Sequence, residues 1–119
     1  MIEKECLIKT IIEGIQEVKG KSITTVDLSN IEGASTQDFV IASGSSTMHV
    51  TAIADSVREY VQKQTGLKPY NYDGYKNSEW IVIDYGTVYV HIFLPESREY
   101  YNLEQLWNDA VIKNIPDLD

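Results

Sequence analysis

The chain has 119 residues, 43% hydrophobic and 24% charged, with a formal net charge of −8. That length holds one domain with one ordinary core, and the composition is globular. The acidic balance argues against a polyanion as direct partner, because phosphate binding needs clustered Lys and Arg. It favours a basic protein surface approached with electrostatic steering, the alternative being acidity that only aids solubility. Cys6 is alone, so neither an internal disulfide nor a cysteine-based zinc site can form. The start of the chain, with Glu3, Lys4 and Glu5, lacks the apolar run of a signal peptide, and residues 88–94 are too few to span a bilayer. A cytosolic location is expected, and no internal repeat or linker is evident.

In chain order, residues 3–19 read as a helix, with Leu7, Ile8, Ile11, Ile12, Ile15 and Val18 forming one stripe. Gly20 is its expected stop, Lys19 a cation in its last turn, and Gly14 an interior cost of about 1 kcal/mol against Ala. Ile23 to Leu28 reads as a strand, Ser29 to Gln37 as a loop, and Phe39-Val40-Ile41-Ala42 as a strand buried on both faces. Gly44-Ser45-Ser46 opens a second helix, capped by one of the serines. Val50, Ile53, Ala54, Val57, Tyr60 and Val61 make its stripe, and Gly66 ends it. Leu67 to Tyr72 reads as a short strand, placed at an edge by Pro69, and Asp73 to Ser78 as a loop.

The stretch 79–93, EWIVIDYGTVYVHIF, reads as a hairpin turning at Gly86. A loop of about two or four residues sets Val82 opposite Tyr89, Ile81 opposite Val90 and Trp80 opposite His91. Period-two alternation puts Ile81, Ile83, Val88, Val90 and Ile92 on a wholly apolar face. Trp80, Val82, Asp84, Tyr89, His91 and Phe93 share the other, which is the expected working surface. Pro95-Glu96-Ser97 then starts a helical turn, and Asn102 with Gln105 resembles a capping box for a further short helix with an apolar side of Leu103, Leu106 and Trp107. Residues 108–119 read as a flexible tail. The order α-β-β-α-β-β-β-α implies a mixed sheet flanked by helices in an α/β fold.

Catalytic motifs are mostly excluded. The Gly44-Ser45-Ser46 junction is neither G-x-x-x-x-G-K-[ST] nor G-x-G-x-x-G. It resembles the opening of nucleotidyltransferases, but those need a pair of strand carboxylates for metal ions, and here Asp84 stands alone. A capped helix start is the plainer reading. His49 and His91 form no metal motif, His49 reads as solvated, and there is no G-x-S-x-G elbow. No cofactor or metal is expected. Tryptophan and tyrosine are common interface anchors, and Trp80, Asp84 and His91 share one hairpin face.

Several blocks together resemble a known family. Residues 38–46 (DFVIASGSS), His49-Val50, Ile53-Ala54-Asp55, residues 80–86 (WIVIDYG), residues 90–93 (VHIF), Arg98-Glu99-Tyr100-Tyr101, Leu103-Glu104 and Leu106-Trp107 are similar, in order and spacing, to the bacterial ribosomal silencing factors of the Iojap-like family. The chain departs from the family pattern at Gln37-Asp38. The resemblance implies a nucleotidyltransferase-like fold without catalytic carboxylates, and no enzymatic activity. It implies binding to the large ribosomal subunit through the basic ribosomal protein L-fourteen, block of subunit joining and repression of translation. Carried over by position, Trp80 is the expected anchor and Asp84 and Glu104 its charges. His91, Tyr101 and Trp107 shape the patch, and Tyr85 and Arg98 belong to the same surface. A nucleotide-handling enzyme and a homodimer pairing through the hairpin aromatics are the competing readings.

Overall fold

The elements run α1 (Lys4–Glu17), β1 (Lys21–Asp27), β2 (Asp38–Ser43), α2 (Thr47–Thr65), β3 (Asn71–Asp73), β4 (Trp80–Asp84), β5 (Val88–Phe93), α3 (Pro95–Tyr101), α4 (Leu103–Leu106) and β6 (Val111–Asn114). The structure, a computed structural model, describes residues 3–29, 31 and 38–118, so most of the expected 29–37 loop, Gln37 included, lies outside it. The strands form one mixed sheet in the order β3-β4-β5-β2-β1-β6. Only β2 and β5 pair in parallel; the other neighbours are antiparallel. The apolar run at 39–42 lies in β2, where all six residues are buried, as a strand covered on both faces requires.

α1 and α2 cover one face of the sheet. Leu7, Ile11 and Ile15 of α1 and Val50, Ile53, Ala54, Val57 and Val61 of α2 meet Val40, Ala42 and the aliphatic hairpin residues. Gly14 marks where the two helices touch. A Cβ there would lie 3.1 Å from Val57 Cα, and Ser56 Oγ donates to the Gly14 carbonyl at 2.7 Å. Close packing rather than propensity therefore selects glycine at this position. At the end of α1, Gly20 N–H donates to Ile15 O and Lys19 N–H to Gln16 O, both at 3.0 Å. Lys19 has φ +60, so it is the left-handed residue of a Schellman end and not a cation in the last turn.

The short helices α3 and α4 lie on the opposite face. Leu103, Trp107 and Ala110 pack there with Trp80 and Tyr89 on Val26, Leu28, Phe39, Ile41 and Phe93, forming a second core. Two expectations are corrected. The strand expected at 67–72 forms only at Asn71–Asp73, an exposed edge. Part of the expected tail is β6, which pairs with β1 from Thr24↔Asn114 to Asp27↔Val111. Beyond it Ile115 N–H donates to Ile23 O at 2.8 Å, and Asp117 Oδ1 accepts from Ser22 N–H at 2.9 Å. All four β6 residues are exposed, so the strand carries none of the apolar alternation that marks a strand in sequence.

Candidate protein-docking surface

The hairpin register is displaced by two residues from the expected one: Trp80 pairs with Phe93, Val82 with His91 and Asp84 with Tyr89. Its tip fixes this. Tyr85 N–H donates to Val88 O at 2.9 Å, Gly86 takes φ +87, and Asp84 Oδ1 accepts from Gly86 N–H at 2.7 Å. A two-residue displacement leaves every side chain on its face. Ile81, Ile83, Val88, Val90 and Ile92 accordingly share the helix-covered core.

The other face is more enclosed than an open working surface. His91 is 6% exposed and Phe93 1%, while Trp80, Val82, Asp84 and Tyr89 are half-buried. Trp80 and His91 are diagonal neighbours across the strand pair, and Trp80 Nε1–H donates to His91 Nδ1 at 3.1 Å. The indole also lies against Phe93, with centroids 5.0 Å apart, and Tyr101, at 4.6 Å. Phe39 meets His91 at 4.7 Å edge to face and Trp107 at 6.3 Å. Burial holds the His91 imidazole down to about 4, so it is neutral at physiological pH. With Nδ1 accepting, its proton sits on Nε2. Trp80, His91, Tyr101 and Trp107 are thus brought into one aromatic cluster, with Trp80 half-exposed and Tyr101 50% exposed at its rim.

Other site residues fall elsewhere. Tyr85 is 7% exposed within the helix-covered core, where burial pushes its hydroxyl up to about 12, so it does not share the aromatic face. Asp84 holds the hairpin turn. Arg98 braces the second layer. It donates from Nη1 to Ser22 O at 2.6 Å and Ser43 Oγ at 2.9 Å, and from Nη2 to Thr24 Oγ1 at 3.0 Å. It also forms a two-pronged pair with Glu104, the shorter arm 2.9 Å. Ser22 has φ +52 where the β1–β2 register slips, and its carbonyl meets the guanidinium there. Arg98 and Glu104 therefore neutralise each other inside the fold. Asp38 is 5% exposed and pairs with Lys4 at 3.1 Å, burial above all raising its carboxyl.

The Gly44-Ser45-Ser46 junction is a helix start. Ser46 Oγ accepts from His49 N–H at 3.1 Å. His49, expected in solvent, is half-buried. Its Nδ1 accepts from Ser45 N–H at 2.9 Å and its Nε2 donates to Val18 O at 2.7 Å, pinning α2 to the end of α1. Among the described residues no group of three or more His, Cys, Asp or Glu could hold a metal ion.

A groove of about 620 Å³ beside Trp80 was not expected. Asp73, Glu79 and Glu96 line it with Lys76, and Trp80, Tyr100 and Tyr101 are its aromatic walls. These residues come from the end of β3, the β3–β4 connection, β4 and α3, so no local spacing joins them. Tyr100 is 83% exposed there, in a helix with no buried residue. Carboxylates and aromatic faces together suit a cationic side chain.

The profile of the family described as "Ribosomal silencing factor during starvation" matches residues 2–119. A ribosomal silencing factor of Chromobacterium violaceum is 36% identical over 99 residues, 83% of this chain and 80% of that one. The chloroplastic protein Iojap of Arabidopsis thaliana is 37% identical over 81 residues, 68% of this chain and 33% of that one. A crystal structure of a Chromobacterium violaceum protein superposes with a TM-score of 0.84 at 34% identity, covering 90% of this chain and 88% of the other. These matches, spanning nearly the whole of the described sheet and its helices, show the family: the chain belongs to the ribosomal silencing factors.

Proposed function

We propose that this protein silences the large ribosomal subunit by occupying it, not by catalysis. The aromatic hairpin face docks on the basic ribosomal protein L-fourteen, and the bound domain blocks the small subunit sterically and represses translation. The half-exposed Trp80, held against Phe93 and Tyr101, carries this reading, since a partly exposed tryptophan is a usual interface anchor. The neighbouring groove, with three carboxylates against one lysine, and the net charge of −8 favour a basic protein and disfavour bare RNA. Family membership supports the ribosome as the place of action, and with it the cytoplasm. Against an enzyme stand the Gly44-Ser45-Ser46 junction, whose Ser46 hydroxyl caps α2, and Asp84, whose carboxylate holds a turn.

The test is Trp80→Ala in co-sedimentation with isolated large subunits, with thermal unfolding measured in parallel. Loss of an anchor weakens binding by on the order of thirtyfold. Tyr101→Ala, at the exposed rim, weakens it in the same direction with less disturbance of packing. Two folded variants that both bind normally would overturn the reading.

A further inference from the structure

The second core holds one polar ring that its packing does not call for. His91 lies in the middle of β5 among Phe39, Phe93 and Trp80, and is 6% exposed. Its Nδ1 accepts from the Trp80 indole, while its Nε2 has no hydrogen-bond partner among the described residues. A buried donor left unpaired destabilises a fold, and an aliphatic side chain of similar size would fill the place without that penalty. What an aliphatic side chain could not supply is the acceptor.

Trp80 needs one for a geometric reason. Phe93 and Tyr101 bear on the indole, but stacking fixes the plane of a ring far better than its orientation within that plane. The side-chain torsion that turns an indole over is broad and roughly two-fold. A single acceptor at the ring's edge breaks that degeneracy, because only one flip directs Nε1–H at Nδ1. An anchor already ordered before the partner arrives loses less freedom on binding.

We propose that His91 is a positioning residue for recognition: it holds the Trp80 indole in one orientation ahead of docking, and it is kept at the expense of stability. The inference rests on Trp80 being the docking anchor, and it assigns His91 a role exercised through Trp80 without touching the partner.

The experiment compares His91→Leu, which removes the acceptor, with His91→Asn, whose amide oxygen stands near the place of Nδ1. Each is measured in the full chain by thermal unfolding and by co-sedimentation with large subunits. Each is also measured in a Trp107→Phe background by time-resolved fluorescence anisotropy, which then reports Trp80 alone. His91→Leu is expected to melt at or above the parent temperature, to show faster indole motion, and to bind about tenfold more weakly. His91→Asn is expected to slow the indole again and to restore most of the binding. A His91→Leu variant that melts lower with indole motion unchanged from the parent, or one that fails to fold while the indole of a folded His91→Asn moves faster than in the parent, would make His91 a structural residue and overturn the proposal. Equal loss of binding in both variants with the indole still ordered would place His91 in direct contact with the partner and overturn it likewise. If Trp80→Ala binds normally the docking reading fails. Indole motion in the isolated His91→Leu protein then decides separately whether His91 orients the ring.

Discussion

The two faces of the sheet are made of different chemistry. Toward α1 and α2 the hairpin presents Ile81, Ile83, Val88, Val90 and Ile92, all 0% exposed, under two long amphipathic helices. Away from them it presents Trp80, Tyr89, His91 and Phe93 under α3 and α4, of seven and four residues, neither of which has a buried residue. Arg98 holds that slight cover through bonds to β1, β2 and Glu104. Alternation along a strand lets one hairpin serve both ends. The aliphatic side supplies the area whose burial stabilises the domain, at roughly 25 cal/mol per Å². The aromatic side gives up some of that area to keep Trp80 and Tyr101 accessible. If the aromatic face is the docking surface proposed above, stability and recognition are divided across the thickness of one sheet.

Ile83→Ala is the largest break of that division. It opens a cavity in the aliphatic core and should cost about 4 kcal/mol, read by urea unfolding. Binding to large subunits per folded molecule should not change. A fall in affinity of the folded fraction would show that the two faces are coupled.

Acid tests the aromatic side. The His91 imidazole titrates at about 4 in the fold and near 6.5 when unfolded, so the unfolded chain takes up the proton first. The stability this confers is complete above pH 6.5, is lost as pH falls toward 4, and is flat below, a total of about 3 kcal/mol. Asp38, whose carboxyl burial raises, acts in the opposite sense over its own range. Urea unfolding at pH 7 and pH 4.5 should therefore show an acid loss in the parent that is much smaller in His91→Leu. An equal loss in both would place the acid sensitivity elsewhere.

The smallest effect is expected from Arg98→Ala. Its side chain is 14% exposed, but Glu104 at 28% keeps water contact when orphaned, so roughly 2 kcal/mol is expected where a fully buried pair would cost more. Hydrogen exchange should rise in α3 and α4 and stay low in α1 and α2. Uniform loosening of both layers would erase the distinction between the two covers.

What could be read from the sequence was local. The stripes of α1 and α2 follow from helical spacing, a serine cap at Ser45 or Ser46 and the Gly66 stop from backbone chemistry, and the sorting of the hairpin from alternation alone. Each is a property of a few consecutive residues, so tertiary context had little to add. The register escaped because both candidates place the same side chains on the same faces, and they differ only in which residues pair, from Trp80↔Phe93 to Asp84↔Tyr89, and in the turn closed by Tyr85 N–H on Val88 O. β6 escaped because an edge strand exposed on both sides has no alternation to show. The site divided in the same way. That Trp80 and His91 share a face was legible, because a period of two needs no fold. That His91 is buried and bonded to the indole, and that Arg98 and Glu104 brace the second layer, were decided only by the tertiary structure, whereas Tyr85, two residues past Ile83, lies where the same alternation puts it. The physical reason is distance along the chain: Arg98 finds Ser22 76 residues away, and no local pattern encodes which surface will fold over which.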